Sequence, residues 1–92
     1  MSKTPAKTPA KRMKAYVLIE CSAGKTKSVR KTLAKVKGSG SSMVHVDAIT
    51  GPFDFIAVVE GPSLDAIGRL VTDGIGSIDG VTRTTTCVAV TI

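Results

Sequence analysis

After residue 14, strand-like and helix-like apolar patterns follow one another in a single order, and this order limits the possible folds more than any other feature of the sequence. Runs of β-branched and alternating apolar residues predict four strands, and apolar residues spaced three and four apart predict two amphipathic helices. The predicted strands cover residues 15–21, 43–50, 53–61 and 81–92, and the predicted helices cover residues 25–37 and 64–75. The resulting order is β-α-β-β-α-β.

Two strand–helix–strand units around a central hairpin are typical of a ferredoxin-like α+β sandwich. We therefore expect a four-stranded antiparallel sheet with both helices on one face, as in dimeric α+β barrels. Gly51-Pro52 marks the central turn, because glycine supplies the positive φ that a tight hairpin turn requires. Ser63 is the predicted N-cap of the second helix, and Asp65 follows in its first turn.

Both faces of the predicted sheet carry apolar residues. In the first strand, Val17 and Ile19 face away from Tyr16 and Leu18. The other long strands alternate in the same way: Phe53, Phe55, Ala57 and Val59 against Ile56 and Val58, and Val88, Val90 and Ile92 against Val81, Cys87 and Ala89. Two helices can cover only one face, and a domain of 92 residues has a marginal core of its own. We therefore expect a second copy of the sheet to cover the other face, giving a homodimer.

The net charge of +6 comes almost entirely from the N-terminal segment. Residues 1–14 carry five bases and no acid, whereas residues 15–92 carry eight bases and seven acids. The Thr-Pro-Ala-Lys repeat in residues 4–11 has no apolar periodicity, and each proline removes a backbone donor. We therefore expect residues 1–14 to form a disordered basic tail and residues 15–92 to form the one folded domain. Such a tail is either a solvated terminus or a weak, charge-driven contact with nucleic acid.

Two local motifs, at residues 50–56 (TGPFDFI) and 78–86 (IDGVTRTTT), point to a family. Together with the strands at 15–20 and 44–49, they resemble the RAM domain, the ligand-binding domain of the Lrp/AsnC transcriptional regulators. The resemblance covers residues 15–92 and implies an amino-acid-sensing domain that forms dimers and higher homo-oligomers. Such regulators normally carry an N-terminal helix-turn-helix, which a 14-residue tail is too short to form. The resemblance therefore implies a stand-alone sensing domain with a full-length regulator as a candidate partner.

The resemblance also implies a ligand site. In similar proteins the amino acid lies between dimers near a Gly-x-x-Asp turn, which places Gly51, Phe53 and Asp54 at the ligand. Thr84 and Thr86, on the last strand, are further candidates. Glycine permits close backbone approach, a carboxylate pairs with an ammonium group, and threonine hydroxyls can donate to a carboxylate. A structural role stays open for each: Asp54 can cap turn backbone, and threonines are common in strands.

Other chemistry has little support in the sequence. The single histidine, His45, has no second histidine nearby, and neither Cys21 nor Cys87 has the spacing of a zinc site. The two thiols are expected on adjacent strands, most simply as buried free thiols in a reducing cytoplasm. No nucleophile–base pair can be assembled, so we expect no catalytic residue, metal or cofactor. No apolar run approaches the roughly 20 residues of a membrane span.

Two other functions stay open from the sequence. One is a small dimeric α+β barrel enzyme, which would need a polar, titratable cavity between its sheets. The other is a nucleic-acid-associated protein that acts through its basic tail.

Overall fold

The computed structural model describes residues 12–38 and 40–92. Its elements are β1 (Met13–Cys21), α1 (Thr26–Leu33), β2 (Ser42–Ala48), β3 (Phe55–Gly61), α2 (Leu64–Arg69) and β4 (Val81–Val88). Helix α2 continues without a break into a π-helical segment, Leu70–Ile75. The predicted β-α-β-β-α-β order is confirmed.

The four strands form one antiparallel sheet in the order β2-β3-β1-β4. β1 and β3 are therefore central, and β2 and β4 are the edge strands. In the centre of the sheet, Val17 lies opposite Ala57 on β3 and opposite Thr86 on β4. This arrangement confirms the ferredoxin-like α+β sandwich.

The core lies between the sheet and the two helices. Alternate residues of β1 and β3 are buried, which is the period of two that places every second side chain on one face. Buried apolar residues of the helical layer meet them: Val29 and Leu33 from α1, Ile67 from α2, and Leu70, Val71 and Ile75 from the π-helical segment. The π-helical segment closely approaches the residues that follow α1 at Gly74, where an added Cβ would lie 2.8 Å from Val36 Cγ1. The absence of a side chain at Gly74 therefore permits this packing.

Several element boundaries differ from the sequence prediction. α1 ends at Leu33 rather than at residue 37, because the following amides bond three residues back, Lys35 N–H to Thr32 O and Val36 N–H to Leu33 O. β1 begins at Met13, which pairs with Gly61, so residues 13 and 14 belong to the sheet rather than to the tail. The rest of the predicted tail, except residue 12, lies outside the described residues. β4 ends at Val88, shortly before the limit of its partner strand β1.

The predicted facing of Val81 is wrong. The pairing of β1 with β4 shifts between Glu20 and Cys21, so that Val81 pairs with Cys21 and packs against the core. This irregularity reverses the alternation for the residue at the start of the strand. The two cysteines also lie apart, because Cys87 pairs with Tyr16 on the opposite face and nearer the other end of β1. Both are free thiols, but the predicted burial is wrong: Cys21 is half-buried, and Cys87 is exposed because it lies on an edge strand and on the face away from the helices.

Candidate functional site

The connection between β2 and β3 lies at the end of the sheet where β1 ends and β4 begins. It is longer than the predicted two-residue turn, and a hydrogen bond from Ile49 N–H to Asp54 O closes it at 2.9 Å. Gly51 has a φ of +114°, which confirms the predicted positive φ. It is exposed, and no atom outside its immediate neighbours lies within 4 Å of the position that a Cβ would occupy. The turn therefore offers accessible backbone.

Asp54 joins this connection to β1. Its backbone N–H donates to Ile19 O at 2.8 Å, and its carboxylate Oδ2 accepts a 2.7 Å hydrogen bond from the backbone N–H of Cys21. The second bond is partly buried and satisfies a backbone donor at the last residue of the strand. The structural role left open for Asp54 is thus observed, although the capped backbone belongs to β1 rather than to the turn. The other carboxylate oxygen makes no hydrogen bond to the described residues.

Sequence reasoning missed two charged residues beside the turn. The Arg83 guanidinium lies over the ring of Phe53, with its Cζ 5.3 Å from the ring centroid. The Nε of Arg83 also lies 3.4 Å from Oε1 of Glu20, its cross-strand neighbour. The strand pairing that brings these two residues together depends on the topology, so the only sequence signal was the position of Arg83 within the second motif.

The two candidate threonines lie on the helix-facing side of β4. Thr84 is half-buried and pairs with Ile19, whose carbonyl accepts the backbone bond from Asp54. Thr86 is exposed and pairs with Val17, two residues farther from the turn. Thr84 is thus one strand away from Asp54, and Thr86 lies farther from the turn along strand β4.

The thiol of Cys21 lies next to these carboxylates. Burial, together with the nearby charges of Asp54 and Glu20, raises the pKa of Cys21. A raised pKa keeps the group as a thiol at neutral pH, so that less of the nucleophilic thiolate is present. Cys21 is therefore poorly suited to nucleophilic chemistry.

The sheet face opposite the helices is apolar only along its centre. Tyr16 and Leu18 of β1 lie directly opposite Val58 and Ile56 of β3, and all four are half-buried. The edge strands place polar groups around them: His45 and Asp47 on β2, and Arg83, Thr85 and Cys87 on β4. His45 Nε2 lies 3.0 Å from Asp47 Oδ1, and both side chains are exposed. We call this surface the open face.

A groove of about 600 Å³ separates the end of α1 from the edge strand β2. Its walls are mainly apolar, with contributions from Leu33, Val36, Met43 and Val46. Among the described residues, no group of three or more His, Cys, Asp or Glu side chains is placed to hold a metal ion. Within the same residues, no helix is both long and apolar enough to cross a membrane.

Comparison with known families assigns the chain to one of them. The model of the Lrp/AsnC ligand binding domain matches residues 14–91. The chain therefore belongs to this family, and the resemblance found in the two motifs is confirmed. A search of curated proteins gave no match.

Solved structures share the fold. TTHA0845 from Thermus thermophilus superposes with a TM-score of 0.76 and 29% identity, covering 87% of this chain and 95% of that one. AsnC from E. coli also gives 0.76, with 20% identity, covering 87% of this chain and 52% of AsnC. The complex of the transcriptional regulator NMB0573 from Neisseria meningitidis with L-Met gives 0.72 and 17% identity, covering 96% of this chain and 58% of that one. The chain thus spans about half of these two regulators and nearly all of the Thermus protein.

Proposed function

We propose that this protein is an amino-acid-responsive regulatory domain that assembles through its open face and binds its effector at the turn between β2 and β3. It acts by changing its own assembly, or that of a full-length regulator, when the effector fills clefts between dimers. It is not an enzyme. Its two free cysteines agree with a location in the reducing cytoplasm.

The observation that carries this proposal is the set of groups beside the turn. An amino acid has an ammonium group, a carboxylate and a side chain, and the turn offers a partner for each. Asp54 and Glu20 supply carboxylates, Arg83 supplies a guanidinium, and the Phe53 ring supplies an apolar surface. Charged hydrogen bonds of this kind are stronger than neutral ones. Gly51 adds accessible backbone at the same place.

Thr84 and Thr86 remain in the proposal as residues that contact the effector from the edge of β4. Thr84 is the better placed of the two, because it pairs with the residue that bonds to Asp54. Both threonines lie on the sheet face opposite to Arg83, which contacts Phe53. The five predicted site residues therefore do not surround a single pocket in one protomer. A cleft shared between dimers, with groups from two protomers, accounts for this separation.

The open face supports the assembly step. Its apolar centre and polar border resemble the anatomy of protein interfaces, in which a dry centre is surrounded by a polar rim. The helices cover only the other face of the sheet, so the half-buried Leu18 and Ile56 would stay partly exposed to water in a monomer. Two sheets packed face to face would bury them.

The assembly is tested by light scattering on Leu18→Glu. A charge at the centre of the open face should yield a monomer of about half the wild-type mass or less, because an unpaired buried carboxylate is costly. The matched control is Leu64→Glu, an exposed leucine in the first turn of α2 on the helical side. A monomeric wild type, or an assembly that survives Leu18→Glu, contradicts the proposed interface.

The ligand is tested by a thermal-shift panel of the twenty amino acids at millimolar concentration. At a hundredfold excess over its dissociation constant, one site adds about 2.7 kcal/mol of stability. For a domain of this size, the melting temperature should rise by on the order of ten degrees. Arg83→Gln and Asp54→Asn should reduce the shift, and Arg69→Gln on α2 should not.

The outcomes of the panel separate the claims. A response to none of the amino acids contradicts the sensing function. A response that persists in both turn variants keeps the function and excludes this site.

A further inference from the structure

The basic residues of the folded part of the chain are concentrated on one helix and its C-terminal extension. Outside residues 1–14 the chain has eight bases, and six of them lie in residues 25–37, a segment without a single acid. All seven acids lie elsewhere. The net charge of residues 15–92 is therefore near zero although their bases and acids lie in different segments. The N-terminal segment is not the only basic part of the protein.

Most of these bases have no acidic neighbour. Lys25 Nζ lies 3.2 Å from Asp79 Oδ2. Among the described residues, no carboxylate lies within 4.0 Å of the other five. These five side chains are all exposed: Lys27, Arg30, Lys31, Lys35 and Lys37. We call this surface the basic face of α1.

The second helix provides an internal comparison. In α2, Asp65 precedes Arg69 by four residues, the favourable arrangement of opposite charges on a helix. In α1, Lys27 is followed by Arg30 and Lys31 at spacings of three and four, where like charges destabilise a helix. The helix dipole favours Arg30 and Lys31, which lie in the last turn, but it favours an acid in the first turn, where α1 has none. The stability of the helix therefore accounts for two of these bases and not for the complete absence of acids.

We propose that the basic face of α1 binds the phosphate backbone of duplex nucleic acid. The apolar residues Val29 and Leu33 of α1 point into the core. The large exposed apolar residues lie on other elements, and of the five bases only Arg30 and Lys37 line the apolar groove beside β2. The hot spots of protein interfaces are mostly large side chains packed in desolvated pockets, whereas Lys27, Lys31 and Lys35 lie outside that groove. Their cationic surface matches a phosphate backbone, which is bound through charge and without reading sequence.

One further base, Arg12, lies near the connection that follows this surface. Arg12 Nη2 donates to the carbonyl of Gly40 at 3.3 Å, in the connection that follows Lys35 and Lys37. The sequence before Arg12 carries Lys3, Lys7 and Lys11 and no acid. The contribution of these lysines to binding is therefore measured separately from that of the basic face. The proposal goes beyond amino-acid sensing and does not depend on it.

The test measures binding of a short fluorescent DNA duplex of mixed sequence to the full-length protein by anisotropy, across a salt series from about 50 to 200 mM. In one variant, Lys27, Arg30 and Lys31 are changed together to Gln. Its affinity should fall, and the salt dependence should drop in slope by up to about 2.7, from about 0.9 for each lost phosphate contact. Arg30→Gln alone should lower the slope, whereas Arg69→Gln on α2 should not.

A second variant changes Lys3, Lys7 and Lys11 to Gln and separates the tail from the helix. The proposal expects it to keep measurable, salt-dependent binding. Complete loss of binding in this variant would assign the contact to the tail and overturn the proposal. Unchanged affinity and slope in the triple α1 variant would do the same. Tighter binding of labelled poly-glutamate than of the duplex would identify an acidic protein partner instead of nucleic acid.

Discussion

Replacing Asp54 with alanine removes the acceptor that caps the end of β1. The carboxylate accepts a 2.7 Å hydrogen bond from Cys21 N–H in a partly buried position. Without it, the amide has no partner in the folded protein, and an unsatisfied buried donor costs about 1–3 kcal/mol. Partial access to water favours the middle of that range. The melting temperature of a domain of this size shifts by about 4–8 °C per kcal/mol, so we expect a loss of roughly ten degrees.

The measurement is urea unfolding followed by circular dichroism at one fixed protein concentration, because assembly also contributes to stability. Asp54→Asn keeps an oxygen acceptor and loses only the charge, so it should cost about 1 kcal/mol less than the alanine variant. Asp79→Ala is the matched control. Its carboxylate is 91% exposed and pairs with Lys25, and an exposed pair contributes about 0–1 kcal/mol.

Two results would refute this reasoning. One is an Asp54→Ala protein as stable as Asp79→Ala, which would mean that water replaces the bond at no cost. The other is an Asn variant as unstable as the alanine variant, which would mean that the negative charge matters rather than the acceptor oxygen. Since the alanine variant perturbs the fold, Asp54→Asn is the better variant for the ligand test.

Further predictions concern the helices and the thiols. Gly68→Ala should raise the free energy of unfolding by about 0.5–1 kcal/mol, because alanine favours a helix and no other atom lies within 4 Å of the new methyl. Gly74→Ala should lower it by about 1–3 kcal/mol in the same denaturation assay, because its methyl would lie 2.8 Å from Val36 Cγ1. Equal effects of the two substitutions would contradict the close packing of Gly74 against Val36. In maleimide labelling at low protein concentration, the exposed Cys87 should react faster than Cys21, whose pKa is raised by burial and neighbouring carboxylates. The reaction of Cys87 should slow as the protein assembles through the open face; a rate independent of concentration would argue against that interface.

Local patterns were sufficient for the fold. Alternating apolar residues predicted the strands, and the spacing of Val29 and Leu33 predicted α1, because these periods follow from backbone geometry alone. The positive φ of Gly51 was also predicted, although the turn is longer than the two residues on which that prediction rested. Boundaries were less well predicted, because the final turns of α1 and the end of β4 depend on which hydrogen-bond partners are within reach.

The contents of the candidate site depended on the tertiary structure. Its motif residues could be named in advance, since Gly51, Phe53 and Asp54 are consecutive or nearly so in the chain. Glu20 and Arg83 could not, because they meet only when β1 pairs with β4 in one register. The structural bond of Asp54 likewise joins residues 33 positions apart.

Composition placed the excess charge in the first 14 residues, and it could not show how the remaining charges are arranged in space. The near-neutral net charge of residues 15–92 is divided between a basic segment, residues 25–37, and acids on other elements, and Arg12 bonds to Gly40 in the connection after that segment. Sequence determines which side chains a strand or helix carries, because that depends on local periodicity. Which side chains from distant segments share a surface is decided by strand order and register, which are properties of the folded chain alone.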